Sequence, residues 1–201
     1  MQLYLNATSP YARVARVAAL EKGLEERVTL CWVDPWGDDE ALIGANPVGR
    51  VPALRTDDDD CVSESLLIAQ VFDKLGTGAP LLPANRLTAV LSLAGLGQGL
   101  TDAAFGLVIG RKLGSAAEKD GILMARRHHA IERTLTVLGG DRISGALSAA
   151  APTLGDIVVG VALAYLEFRL PEYQWRRQSD ILVGFYDELA ARKSFAATAF
   201  S

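Results

Sequence analysis

The sequence predicts two domains, a small α/β domain over residues 1–76 and an all-α domain over 86–201, joined by a linker at 77–85. The short runs that read as strands all lie before Ser65. From Arg86 onward the pattern is helical throughout. Between the two lies a punctuated stretch, Gly76 to Asn85, carrying Gly78, Pro80 and Pro83.

Gln2 to Asn6 alternates weakly and reads as a first strand. Ser9 then precedes Pro10, the pattern of an N-cap followed by proline at the first helical position. Val14, Val17, Ala18 and Leu20 give that helix one apolar face, and Gly23 ends it. Arg27 to Val33 reads as a second strand, Asp34 to Gly37 as a loop, and Asp38 to Ile43 as a short helical passage. Asn46-Pro47 and Gly49 mark a turn, and Val51 to Leu54 reads as a third strand. Pro52 cannot donate to a ladder, so that strand begins at Pro52 or lies on an edge, where free backbone groups accept an extended peptide. The aspartates from Asp57 to Asp60 form a hairpin turn before a fourth strand at Cys61–Val62. Ser63 is then the expected N-cap of a helix from Leu66 to Leu75. Strand, helix, strand, short helix, strand, strand, helix is a thioredoxin-like order.

Four helices are expected afterwards, over Arg86–Leu113, Ser115–Leu138, Thr153–Arg169 and Gln178–Arg192. Thr153 and Asp156 form a capping box with a shortened acid, a structural feature to which no chemistry is assigned.

The chain has 201 residues, 50% hydrophobic and 22% charged, enough for a full core. A net charge of -4 argues against a nucleic-acid binder. The N-terminus lacks a secretory pattern. The longest apolar run, Ile157 to Leu166, falls short of the ~20 residues of a membrane span, so a cytoplasmic protein is expected. Cys31 and Cys61 form no C-x-x-C, which signals neither zinc nor a dithiol centre. The acidic run lacks the spacing of a calcium loop, and adjacent His128 and His129 lack the i, i+4 spacing of paired ligands. No metal is expected.

The stretch Asn46 to Ser65, NPVGRVPALRTDDDDCVSES, together with Ser9-Pro10-Tyr11-Ala12-Arg13, resembles the glutathione S-transferases, in their bacterial serine-type form. The resemblance covers nearly the whole chain, with its specific motifs confined to Ser9–Arg16 and Asn46–Ser65. It implies the two-domain transferase fold, with glutathione as co-substrate. It also implies that the Val51–Pro52 bond is cis and that the Val51 backbone pairs with the cysteinyl part of glutathione. Glu64, twelve positions after Pro52, would hold the ligand's ammonium, and Ser65 the γ-glutamyl carboxylate. Ser9 would donate to the thiolate, with Thr8 and Tyr11 as nearest rivals and Tyr4 a distant one. Arg50 is the candidate for the glycyl carboxylate, since Asp34 to Ala45 holds four acids and no base; Trp36 or backbone amides are the alternative there.

The implied reaction is attack of glutathione thiolate on a small hydrophobic electrophile, or a related peroxide reduction. A transferase-like protein that binds without turnover is the alternative. Arg86–Leu113 is apolar around more of its circumference than a surface helix should be, and its five glycines suggest close packing or room for a second substrate beside Phe105, Ile109 and Arg111. A homodimer using this face and the helix bearing Arg126 to His129 is expected from the resemblance.

Overall fold

The computed structural model describes residues 1–115, 121–140, 143 and 145–200. The chain divides into two compact units, Met1–Asn85 with Arg192–Ser201, and Arg86–Ala191. The last ten residues therefore group with the α/β unit, where the sequence had placed them with the helices.

In the first unit the elements are β1 (Gln2–Leu5), α1 (Pro10–Glu21), β2 (Thr29–Trp32), α2 (Glu40–Ala45), β3 (Ala53–Arg55), β4 (Cys61–Ser63) and α3 (Ser65–Leu75). The sheet runs β2-β1-β3-β4, with β1 and β2 parallel and the other pairs antiparallel. This is the expected thioredoxin-like arrangement. Strand periodicity sorts the side chains: Tyr4 and Ala53 pack with Leu42 and Ala45 of α2, while Leu3, Leu5 and Leu54 are buried on the alternate face.

Two expectations need correction. The third strand is interior, flanked by β1 and β4, so no free edge runs along it. Pro52 is tolerated because the strand starts one residue later, at Ala53. Nor does Ser63 cap α3: it pairs with Ala53 in the sheet, and the cap position falls to Glu64. Sheet pairing claimed the serine that local capping rules would have used.

The connection after α3 is held by charge. Lys22 Nζ lies 3.1 Å from Asp73 Oδ1, both side chains being buried, and donates to the Ala79 carbonyl at 3.0 Å. Asp73 accepts in turn from the amides of Leu81 and Leu82 at 2.8 and 3.2 Å. A buried ion pair endures when further hydrogen bonds satisfy its remaining donors and acceptors, as here.

The second unit holds α4 (Leu87–Leu113), α5 (Ile122–Leu138), α6 (Leu154–Arg169) and α7 (Asp180–Ala190). The expected helix from Ser115 is seen from Ile122, and residues 116–120 of that expectation lie outside the described residues. Helix α6 is buried from Leu154 through Leu166 and forms the unit's centre. Its start carries the capping box: Asp156, fully buried, accepts from the Thr153 amide at 2.8 Å, the Thr153 hydroxyl at 2.6 Å and the Ser148 amide at 2.7 Å. By length and composition Ala84–Leu113 would reach across a membrane. It instead packs against α5 and α6 through Val90, Leu93, Ala94, Leu100, Ala104 and Leu107, as a core helix does.

Three of the five glycines of α4 are explained by that packing. A Cβ on Gly97 would come within 2.8 Å of the Val159 amide nitrogen, and Gly106 and Gly110 lie under Arg127 and Met124 of α5. Gly95 and Gly99 face open space. Gly97→Ala should therefore destabilise by about 1–3 kcal/mol, because backbone must move. In α7, exposed Gly184 has nothing near its missing Cβ, so Gly184→Ala should stabilise by about 0.5–1 kcal/mol. Urea unfolding of the two variants checks both signs.

Candidate functional site

One transverse row of the sheet assembles the site. Tyr4 stands opposite Ala53, and Ala53 opposite Ser63. Because β3 runs against both neighbours, the chain leaving β1, the chain entering β3 and the chain leaving β4 all emerge at one end. Ser9, Val51–Pro52 and Glu64–Ser65 are the residues carried there. Segments that are 42 and 12 positions apart (9 to 51, 52 to 64) thus leave the ladder at the same end.

Ser9 caps α1 in the expected way: the Ala12 amide donates to its Oγ at 3.2 Å, and the Arg13 amide to its carbonyl at 3.1 Å. Capping engages the hydroxyl only as an acceptor. A serine hydroxyl has one proton and two lone pairs, and the Ser9 proton has no acceptor among the described residues. Capping and donation to an external anion are therefore compatible. The rivals differ. Both the amide and the hydroxyl of Thr8 donate to Asn6 Oδ1, at 2.9 and 3.0 Å. Tyr4 is buried and its hydroxyl donates to Gln2 Oε1 at 3.2 Å. Tyr11 follows in the first turn of α1 and is partly exposed.

The Val51–Pro52 bond is cis. Its approach is organised by a residue that sequence reading took only as a turn marker. Asn46, buried at the end of α2, donates from Nδ2 to the Arg50 carbonyl at 2.8 Å and accepts at Oδ1 from the Val48 amide at 3.2 Å. Its own carbonyl receives the Gly49 amide at 2.8 Å. Gly49 has φ +68°, a left-handed position that a side chain would strain, with Ile43 Cδ1 3.3 Å from any added Cβ. The pairing of Asn46 with Gly49 three residues on was the available signal, an Asn whose side chain bonds the backbone two residues ahead.

Glu64 sits at φ 71°, ψ 123°, uncommon for a residue with a side chain, and its exposed carboxylate has no partner among the described residues. That backbone turn breaks the chain from β4 straight into α3. It leaves the Ser65 hydroxyl, on a 98%-buried residue, and the first amides of α3 without bonds among the described residues, since bonding resumes at Leu67 and Ile68, which donate to the Glu64 carbonyl. A helix N-terminus with such amides suits an anion. Arg50 is exposed, and its guanidinium makes no hydrogen bond or ion pair among the described residues.

The acids near the site have local duties. Asp34 accepts from the Trp36 amide at 3.0 Å, and Asp39 caps α2 through the Ala41 and Leu42 amides at 3.0 and 3.1 Å. The run after β3 is a hairpin turn, with Asp57 bound by the Met1 ammonium at 2.6 Å and Asp59 by Arg55. In the other unit His128 Nδ1 meets the Tyr173 hydroxyl in a short hydrogen bond, while His129 is exposed. Arg111 pairs with Glu172 at 2.6 Å. A cavity of about 330 Å³ in that unit, lined by Leu166, Leu170, Trp175 and Arg177, includes none of the residues gathered at the sheet end.

Replacing Asn46 tests the loop. Asn46→Asp exchanges the donor facing the Arg50 carbonyl for a second acceptor in a buried setting. It should cost about 1–3 kcal/mol in urea unfolding, whereas Val48→Ala, at an exposed position, should stay within about 0.5 kcal/mol.

Three comparisons with known proteins bear on this geometry. The family described as the glutathione S-transferase N-terminal domain matches residues 8–75. The uncharacterized GST-like protein YibF of Escherichia coli K12 is 31% identical over 203 residues, spanning 98% of this chain and 98% of the relative. A crystal structure of a glutathione transferase family member from Pseudomonas fluorescens Pf-5, with bound glutathione, superposes with a TM-score of 0.92 at 31% identity, covering 100% of this chain and 98% of that one. A glutathione S-transferase from Methylobacillus flagellatus KT, with glutathione bound, gives 0.87 at 30% identity, covering 100% and 99%.

Proposed function

The chain belongs to the glutathione S-transferase family, and from that premise we propose that it binds glutathione and activates its thiol for attack on a small hydrophobic electrophile, or for related peroxide reduction. The observation that carries the reading is the uncommitted proton of Ser9 at the sheet end where Val51 and Ser65 also emerge. The two relatives whose structures contain glutathione support the ligand.

In this reading the Val51 backbone pairs with the cysteinyl unit beside cis Pro52. The Ser65 hydroxyl and the first amides of α3 take the γ-glutamyl carboxylate, and Glu64 takes the ammonium. Arg50 reaches the glycyl carboxylate, for which a planar guanidinium offers two parallel donors. A free thiol titrates near ~8.5, so only a few per cent is thiolate at neutral pH. Lowering that by about two units requires roughly 2.7 kcal/mol, within reach of a hydroxyl donor joined to the positive end of α1.

Calorimetry tests binding: saturation by glutathione at or below millimolar concentration is expected, and its absence would remove the reading. Ser9→Ala should leave affinity within a few fold. Because the lost donor had favoured the thiolate, the pH profile of conjugation should move to higher pH. An unchanged profile would pass the role to Tyr11 or a backbone amide.

A second reading, binding without turnover, is favoured by the absence of any base from Asp34 to Ala45, where a second glycyl anchor would stand. Saturable glutathione binding with no conversion of an electrophile and peroxide panel would select it.

We further propose that the protein is a homodimer through α4 and α5. Leu87 and Leu91 of α4 are exposed, Gly95 and Gly99 leave open space beside them, and Ile122 and Leu123 of α5 are 78% and 62% exposed. An apolar surface edged by Arg126 and His129 has the composition of an interface. Light scattering at micromolar concentration should give twice 21.4 kDa, about 43 kDa; a mass of 21.4 kDa would sink the dimer and leave glutathione binding standing.

A further inference from the structure

Apart from Arg13, every buried side chain of α1 is proline, alanine or valine. The long buried residue, Arg13, is gripped by the far end of the chain. Its Nη2 donates to the Phe195 carbonyl at 3.2 Å and its Nε lies 3.4 Å from Thr198 Oγ1. Its guanidinium carbon lies 4.6 Å from the centre of the Phe200 ring and 5.5 Å from that of Phe195. One turn on, Arg16 donates to the Ala197 carbonyl at 3.1 Å and stacks over Trp32 at the end of β2. At the other end of α1, Arg192 binds both carboxylate oxygens of Glu21, at 2.8 and 2.7 Å, and the Ser194 hydroxyl joins them.

We propose that the segment Arg192–Phe200, with its short helix α8 (Lys193–Ala196), is a clamp on α1, and that Arg13 is a positioning residue through which it sets where the Ser9 hydroxyl meets the thiol. The connection is direct: the Arg13 amide holds the Ser9 carbonyl at 3.1 Å, so Ser9 follows Arg13 whenever α1 turns or slides. Hydrogen bonds weaken steeply with distance and angle. A small lateral shift of α1 therefore costs thiolate stabilisation before it costs the backbone contacts made by Val51 and Ser65, which belong to other segments. This inference rests on the glutathione reading above.

The test separates affinity from acidity. Glutathione-saturated protein is titrated with pH while the ultraviolet absorbance of the thiolate is followed, and Kd is measured by calorimetry, for wild type, Arg13→Met, Arg13→Lys and Phe200→Ala. Arg13→Met keeps the length and removes the donors and the charge. It should hold Kd within about threefold while the thiolate midpoint rises, leaving roughly three- to tenfold less thiolate well below it. Arg13→Lys should recover part of the shift, because one ammonium can serve a single carbonyl but not the planar stack. Phe200→Ala, at a half-buried position near the chain end, should shift in the same direction by less, and it keeps the proposal testable if Arg13→Met does not fold. Wild-type midpoints in the folded variants would overturn the clamp alone. A wild-type protein that takes up no glutathione would overturn the underlying reading and the clamp with it.

Discussion

The antiparallel pairing of β3 with both β1 and β4 is the constraint from which the candidate site follows. Neither Ser9 nor Ser65 touches the other's segment in sequence, and neither sits on a strand. What brings them to one place is that Tyr4, Ala53 and Ser63 lie on one row. Slipping that row by one residue would turn Tyr4 and Ala53 away from α2 and toward the face holding Leu3 and Leu54. Site geometry and core packing are therefore fixed by the same register, and a sequence that fills the core also aligns the site.

Within that frame, binding groups come from places where regular structure stops. Cis Pro52 precedes β3, Glu64 leaves β4 in a left-handed conformation, and Ser9 begins α1. Each is a point where backbone groups are released from ladder or helix and are open to another molecule. Asn46 and Gly49 hold the Arg50 carbonyl and the turn before it, so that the backbone at Val51 is presented in one orientation rather than many. Less conformational freedom remains to be lost when a ligand arrives.

Features governed by neighbours a few residues away could be read from the sequence. The Ser9 cap of α1, the Thr153–Asp156 pair and the Arg55–Asp59 pair of the aspartate turn each rest on bonds within four positions, and local sequence carries that information. Features governed by distant partners could not. Ser63 has every local qualification for a cap, but Ala53 claims it for the sheet. The proline just before β3 suggests an edge, while the strand's interior position is decided by its pairing with β1, some fifty residues earlier. The return of Phe195 and Thr198 to Arg13 spans more than 180 positions and has no periodic signature. Helix α4 looked too apolar for its place because its burial is shared by two helices, and only the geometry of Gly97 against Val158 and Val159 shows how close the approach is.

The connection between the two units carries Gly76, Gly78, Pro80 and Pro83, a composition usually associated with slack. Its middle is instead fastened to a buried charge pair, the Ala79 carbonyl by Lys22 and the amides of Leu81 and Leu82 by Asp73. Adding or deleting one residue there would draw a donor or an acceptor off a charge that water does not reach, a far larger penalty than lengthening a free loop. From Gly76 to Pro83 the length of this connection is therefore specified as tightly as the spacing of a motif, although none of these residues belongs to a helix or a strand.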